Sequence, residues 1–324
     1  MSNIVPKISV IISAYNHEKY VKDAILSVVN QTFESLELLV IDDGSTDDTW
    51  NQINSLYDIC KKRFINVVFK KQENKGTCFT INKLLEMSTG EYIFGLASDD
   101  IVVETAIEIF HEFLSHNKEY ALVVGKNKFI DENGKICYWD EGRNVTYDIN
   151  AKYKSFSSYL EKNKKDIDFD SDQFGTYETL FNGNYIPNGY LIRKNIYQLT
   201  GLFKSEAPLE DYWLMLQISK FSKMKFIRKT TFYYRCHATN SIKNHIKMDE
   251  MTRKTRQYEY SLITSKYREI YINLSRYFYD HSKKHFFNSK LFKVYKTRSI
   301  ENKLFCIEIA NYVFKIKYKN TGIF

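Results

Sequence analysis

The chain has 324 residues, 44% hydrophobic and 27% charged, which excludes a disordered tail and allows two or more packed units around a sizeable core. Its formal charge of +8, from 47 basic and 39 acidic residues, suits an anionic partner such as a nucleotide or an acidic lipid surface; no nucleic-acid-binding module accompanies it. The five cysteines (Cys60, Cys78, Cys137, Cys236, Cys306) form no C-x-x-C pair, so the expectation is a reducing, cytoplasmic compartment without structural zinc.

The first third alternates apolar β-rich runs with helical patterns. ISVIISAY (Ile8–Tyr15) is expected to be a strand. Val21, Ile25, Val28 and Val29 then recur at helical spacing between about residues 18 and 30. LELLVIDD (Leu36–Asp43) is a second strand, closed by Gly44 and Ser45, and a helix follows over about 47–61 with Asp47 or Ser45 near its N-cap. INVVFKK gives a third strand, Phe79–Met87 a helix, EYIFGLASDD a fourth strand, about 103–115 a helix, and YALVVGKNKF another strand. Short apolar strands separated by helices imply a mostly parallel sheet covered on both faces. In such a sheet ligands gather beyond the carboxyl ends of the strands. The polar ends Ser13–Asn16, Asp42–Ser45 and Ser98–Asp100 are therefore the positions to watch.

From Trp139 to Phe181 the pattern loosens into a polar, lid-like stretch. Strand and helix signals return in NYIPNGYLIRKNIYQLTGLF, and APLEDYWLMLQISKF reads as a helix with acids at its start. Beyond Met251 the chain looks helical, basic and aromatic. The expected division is 1–121, 122–245 and 246–324. No run approaches the roughly 20 apolar residues that span a bilayer, and the N-terminus lacks the succession of a signal peptide.

Several groups admit two readings. Asp42 and Asp43 before a Gly-Ser turn are either turn chemistry or acceptors for a nucleobase N–H or a ribose hydroxyl. Asn82 is a capping amide or a group beside a ligand. Glu210 and Asp211 either favour the helix dipole or supply a general base. Trp213 packs or stacks on a sugar, His237 packs or ligates, and His17 reads as a solvent-facing or helix-start residue. Lys283, Lys284, Lys290, Lys293, Lys296 and Arg298, interleaved with aromatics, are a solvated face or a surface for an acidic membrane.

VIISAYNHEKYVKDAILSVVNQTF, ELLVIDDGSTDDT, NKGTCFTINK leading into TGEYIFGLASDD, and later LEDYWLML stand in one order. Together they resemble the family 2 glycosyltransferases over about residues 8–217. The resemblance implies an α/β fold of GT-A type: a Rossmann-like, mostly parallel sheet flanked by helices. Residues 1–121 would be a nucleotide-sugar half, 122–245 an acceptor and catalytic-base half, and 246–324 a basic, aromatic helical extension. It further implies that Ser13 and Tyr15 line the base pocket, Asp43 accepts from the base and Asn82 lies near the nucleotide. Asp99 would bind ribose or share a metal, and Asp100 would be the principal ligand of Mn²⁺ or Mg²⁺. Asp211 would be the catalytic base. YYRCHATNS would offer Arg235 and His237 to the diphosphate or cation.

The implied activity is inverting transfer of a sugar from a nucleoside-diphosphate donor, UDP-linked, to a hydroxyl of a glycan or lipid-linked glycan, in bacterial cell-surface polysaccharide or glycoconjugate synthesis. The implied location is cytoplasmic, with peripheral contact at the inner face of an acidic membrane; a homo-oligomer is a further candidate partner. Family members often carry another acid where Ala97 stands, which leaves open a non-catalytic glycan- or partner-binding module on the same fold. A sugar nucleotidyltransferase is the other rival, although SVIISAYNHEKY has none of the glycines its phosphate loop would need.

Overall fold

The computed structural model describes residues 7–164, 166–181, 183–240, 243–244, 246–262, 292–298, 303–309 and 312–317. The chain divides into two compact units, residues 1–256 and 257–324.

The first unit is built on one mixed sheet. Its strands are β1 (Ile8–Ala14), β2 (Leu36–Asp42), β3 (Asn66–Lys71), β4 (Tyr92–Gly95), β5 (Ile101–Val102), β6 (Tyr120–Ile130), β7 (Ile136–Trp139), β8 (Val145–Thr146), β9 (Tyr190–Arg193) and β10 (Lys223–Arg235). They are ordered β3-β2-β1-β4-β9-β6-β10-β5, with β7 and β8 extending from β6. β3, β2, β1 and β4 are parallel, β9 is antiparallel to both neighbours, and β10 is parallel to β6. The chain moves from β1 outward to β2 and β3, then returns to place β4 on the other side of β1. That reversal opens a crevice above the carboxyl ends of β1 and β4.

Alternation along β1 explains the two layers, because successive side chains leave opposite faces. Ile8, Val10, Ile12 and Ala14 enter one core with Val21, Ala24, Ile25 and Val28 of the helix Val21–Val29. Ile11 enters the other, with Leu84 and Leu85 of the helix Thr77–Met87 and Leu214, Met215 and Ile218 of the helix Glu210–Ile218. Each fully buried aliphatic side chain contributes about 1.5–3 kcal/mol relative to exposure.

The amino-terminal edge of the sheet holds Glu37, a fully buried carboxylate on β2 that the sequence reading passed over. It accepts from Ser9 Oγ at 2.6 Å, from Thr89 N at 2.6 Å and Oγ1 at 2.8 Å, and from Asn66 Nδ2 and Gly90 N at 3.2 Å. Glu37 thus ties β1, β2, β3 and the turn that feeds β4 to one point. Gly90 is obligatory there, because a Cβ would sit 2.7 Å from Ser9 N. Burial pushes the Glu37 carboxyl up, but the Ser9, Thr89 and Asn66 hydrogen bonds outweigh it and hold the group down to about 2.

Three expectations change. The helix expected over about 47–61 is two helices, Thr49–Asn54 and Tyr57–Arg63. The division at 121/122 is no break, because β9 lies between β4 and β6 and binds both. Residues 246–262 are helical. Beyond them, the described segments are three antiparallel strands: β11 (Phe292–Arg298), β12 (Lys303–Ile309) and β13 (Tyr312–Lys317). Their β-branched and aromatic content favours strands over the helix that the lysines suggested. Of the expected membrane-facing cations, Lys283, Lys284 and Lys290 lie outside the described residues. Among the described residues no helix is long and apolar enough to cross a membrane.

Candidate active site

An open cleft of about 660 Å³ lies over the carboxyl ends of β1 and β4 and is lined by Ser13, Tyr15, Asp43, Asp99 and Asp211 from the expected set. Tyr15 is 47% exposed, leaving its ring free on this surface. Asp43 accepts from Gln72 Nε2 at 2.8 Å, Lys75 N at 2.9 Å and Gly76 N at 2.8 Å, so it organises the loop on the far wall. Gly76 has φ +85° and open space around its Cβ position, so its requirement is the left-handed backbone rather than close approach. Burial pushes the Asp43 carboxyl up, and the bonds from Gln72, Lys75, Thr80 and Gly76 bring it below the ordinary carboxylate range.

The acidic turn departs from the expected arrangement. β4 ends at Gly95, and Ala97–Asp100 is a turn in which Asp100 N donates to Ala97 O at 3.2 Å. Strand alternation therefore does not govern where the two acids point. Asp100 turns inward, is 2% exposed, and accepts from Arg235 N at 2.8 Å. Burial and the adjacent Asp99 charge push it well above the ordinary range. The expectation that Asp100 is the principal metal ligand is corrected, because it is buried behind the cleft lining with its Oδ1 taken by the Arg235 N–H.

Asp99 faces the cleft instead. Its Oδ2 lies 2.9 Å from His237 Nε2 and 3.9 Å from His17 Nε2, and the three ligand-capable atoms are within 4.8 Å of one another. Asn240 makes the His237 contact informative. Its Oδ1 accepts His237 N–H at 2.6 Å, so its Nδ2 is the group 2.9 Å from His237 Nε2. His237 Nε2 thus stands at hydrogen-bond distance from both Asp99 Oδ2 and Asn240 Nδ2, each at 2.9 Å, while Nδ1 is paired with Thr239 Oγ1 at 2.9 Å. An imidazole nitrogen this close to a carboxylate oxygen can share a cation with it once Nε2 is unprotonated. The expected divalent cation therefore fits Asp99 and His237, with carboxylate and imidazole donors compatible with Mn²⁺.

His17 was not expected here. It is brought inward because Asn16 adopts φ 53°, a left-handed conformation Asn tolerates better than most residues. Asn16 N donates to Ser45 Oγ at 2.9 Å and His17 N to Thr49 Oγ1 at 2.8 Å, while Asn16 Oδ1 accepts from Thr46 N at 2.9 Å. The first and second strand-end loops are thereby locked together. Burial lowers the His17 pKa and favours its neutral ring.

Two further assignments are corrected. Asn82 is spent on a reciprocal pair with Phe203, donating to its O and accepting from its N, both at 2.9 Å. It holds the helix Thr77–Met87 rather than a nucleotide. Arg235 is 1% exposed, and every guanidinium nitrogen has a protein partner: Asp99 O at 2.8 Å, Glu132 O at 3.1 Å and Asp23 Oδ2 at 2.8 Å. It bolts the acidic turn to its surroundings and has no nitrogen left for a diphosphate.

On the opposite wall, Glu210 and Asp211 open the helix Glu210–Ile218. Asn184 Nδ2 donates to Asp211 Oδ2 at 3.0 Å. Burial raises the Asp211 carboxyl against the bonds from Tyr212 and Asn184. Burial and then the Asp211 charge push Glu210 up to about 7. The Glu210 carboxyl can take up a proton near neutrality. Trp213 is 4% exposed and packs.

The profile described as Glycosyl transferase family 2 matches residues 9–178. An uncharacterized glycosyltransferase of Haemophilus influenzae is 29% identical over 244 residues, covering 74% of this chain and 69% of the relative. A GalNAc(5)-diNAcBac-PP-undecaprenol beta-1,3-glucosyltransferase of Campylobacter jejuni is 28% identical over 217 residues, covering 62% of this chain and 67% of the relative. The S. aureus TarS 1-349 structure in complex with UDP-GlcNAc has a TM-score of 0.52 and 18% identity, over 74% of this chain and 61% of that one. With more than half its residues matched by the family profile and its sheet shared with TarS, the chain belongs to glycosyl transferase family 2 and is a glycosyltransferase of GT-A fold.

Proposed function

We propose that the enzyme moves a sugar from a UDP-linked donor to a hydroxyl of a glycan or lipid-linked glycan, with inversion, in cell-surface glycan synthesis. The observation carrying this is one cleft that joins an exposed aromatic, a carboxylate with imidazole, and an acid pair at a helix start. The TarS complex with UDP-GlcNAc supports the donor class, and the undecaprenol-linked acceptor in the Campylobacter enzyme's name supports the acceptor class.

Ser13 and Tyr15 would hold the base, with Tyr15 stacking and Asp43 accepting through Oδ2, which receives only the Gly76 N–H among the bonds described above. Asp99 and His237 would hold Mn²⁺ or Mg²⁺; when bound, the cation neutralises charge on the departing diphosphate. Asp211 would take the acceptor hydroxyl proton as the oxygen attacks the anomeric carbon from the face opposite the diphosphate. Asn184 keeps that carboxylate oriented, and burial, which raises the Asp211 pKa, makes the carboxylate a stronger base. The basic C-terminal segment would bring the enzyme to an acidic leaflet, its six cations supporting this part of the reading.

The test is Asp211→Asn with a nucleotide-sugar panel and NMR of the product anomer. The variant should lose transfer by roughly 10²–10⁴-fold while UDP binding, followed by calorimetry, is kept. Near-normal transfer by the variant would refute the base, and a retained anomer would refute inversion.

A further inference from the structure

The β1 loop brings a third donor atom, a second imidazole nitrogen, to the cation position. His17 reaches Ser98 Oγ through Nδ1 at 2.7 Å, and Ser98 is 2% exposed. In the tautomer in which Nδ1–H donates to Ser98 Oγ, the ring keeps a lone pair on Nε2. That Nε2 faces Asp99 Oδ2 at 3.9 Å, too far for a hydrogen bond. Two donors about 2.1 Å from one cation lie about 3.0 Å apart when adjacent and about 4.2 Å when opposite. The 2.9 Å separation from Asp99 Oδ2 to His237 Nε2 is close to the adjacent spacing, and the 3.9 Å separation to His17 Nε2 lies between the adjacent and opposite ones.

The two rings stand edge to face, with centroids 5.9 Å apart and planes at 82°. Each ring's remaining nitrogen is tied to a hydroxyl, His17 to Ser98 and His237 to Thr239. This is the outer hydrogen bonding that orients metal-binding histidines. Ala97, in the same turn, presents only a methyl to the cleft. The shell is therefore nitrogen-rich where a further carboxylate would have made it oxygen-rich.

We propose that His17 is a third protein ligand, making a two-imidazole, one-carboxylate site that selects Mn²⁺ over Mg²⁺. Mg²⁺ prefers oxygen donors and gives up its waters reluctantly, whereas imidazole suits transition metals. The inference rests on the cation role proposed above and is independent of which sugar or acceptor is used. It also assigns His17 a function that is separable from the loop clamp, since the clamp is made by its backbone N–H and the ligand by its ring.

The test is electron spin-echo envelope modulation of Mn²⁺ bound to the full chain, with and without UDP, alongside Mg²⁺ competition for the Mn²⁺ site. The wild type should show coupling to two imidazole nitrogens, and His17→Ala and His237→Ala should each show one. His17→Ala should weaken Mn²⁺ at least about tenfold and Mg²⁺ far less. His17→Gln, which keeps a polar group for Ser98, should match His17→Ala in modulation while its circular dichroism stays that of the wild type. A single coupled imidazole in the wild type that survives His17→Ala would overturn the proposal, as would equal loss of Mn²⁺ and Mg²⁺. Absence of any bound Mn²⁺ would overturn it together with the cation role. A wild type that couples two imidazoles but binds no UDP would leave the ligand set standing and remove the nucleotide-sugar reading instead.

Discussion

Replacing Glu37 by Gln removes a charge from the point where β1, β2, β3 and the lead into β4 meet. The native carboxyl is held down to about 2 against an ordinary 4.5. Each pH unit of such lowering is worth about 1.4 kcal/mol, so the charged group contributes on the order of 3 kcal/mol at neutral pH. The sign follows from a lowered folded-state pKa: the contribution is complete above the unfolded value and is lost as pH falls toward the folded one. Urea unfolding of both proteins at pH 7, 5.5 and 3.5, followed by tryptophan fluorescence, measures it. The stability difference should be level between pH 7 and 5.5 and smaller by about 1 kcal/mol at pH 3.5. A neutral substitution at pH 7, or a difference of the same size at pH 3.5, would refute the reasoning. Gln cannot accept all five native donors, so part of the loss will persist at every pH. Only the pH-dependent part reports on charge.

Other perturbations read the cleft. Asn184→Ala withdraws a hydrogen bond that favours ionised Asp211, so the acidic limb of kcat/KM should move to higher pH and activity should recover as pH rises. A uniform loss at all pH values would place Asn184 in scaffolding alone. Arg235→Met leaves the Asp99 and Glu132 carbonyls and Asp23 without their donor and should lower stability by about 2–4 kcal/mol in thermal unfolding. Arg235→Lys should not restore it, since one ammonium cannot span the directions of the guanidinium fork; wild-type stability in the Lys variant would contradict the bolt.

Much of the sheet was legible because buried parallel strands are continuous apolar runs. Ile8–Tyr15 and Leu36–Asp43 each overshoot the observed strand by one residue. The edge where chemistry gathers was legible for the same reason, as Ser13, Tyr15, Asp43, Asp99 and Asp211 all reach one cleft. The exchange of Asp99 and Asp100 was not, because the strand expected through EYIFGLASDD ends at Gly95 and a turn sets where the two acids point. Asn82 and Arg235 were misassigned because amides and guanidinium groups serve backbone as readily as ligands. His17 was passed over because its direction depends on a left-handed Asn16. The available signal was an Asn-His pair immediately after a strand end, with a Ser-Asp pair after the neighbouring strand. Glu37 was hidden by lying in an apolar run whose partners are small hydroxyls distant in sequence.

The interleaving of β4, β9 and β6 limits how this enzyme could be recombined. A crossover between residues 121 and 122 would cut β6 near its start and draw β4 and β5 from one parent and β9 and β10 from the other, so the β4–β9 and β5–β10 ladders would have to match across foreign edges. The excursion from Ile130 to Tyr190 is different: it leaves one strand and re-enters its hydrogen-bonded neighbour. That excursion carries the Asn184 partner of Asp211 and leaves Tyr15, Asp43, Asp99 and His237 in the recipient. The cassette whose exchange keeps the β4–β9 and β6–β9 ladders within one parent is therefore an internal loop of the sheet, not a terminal half of the chain.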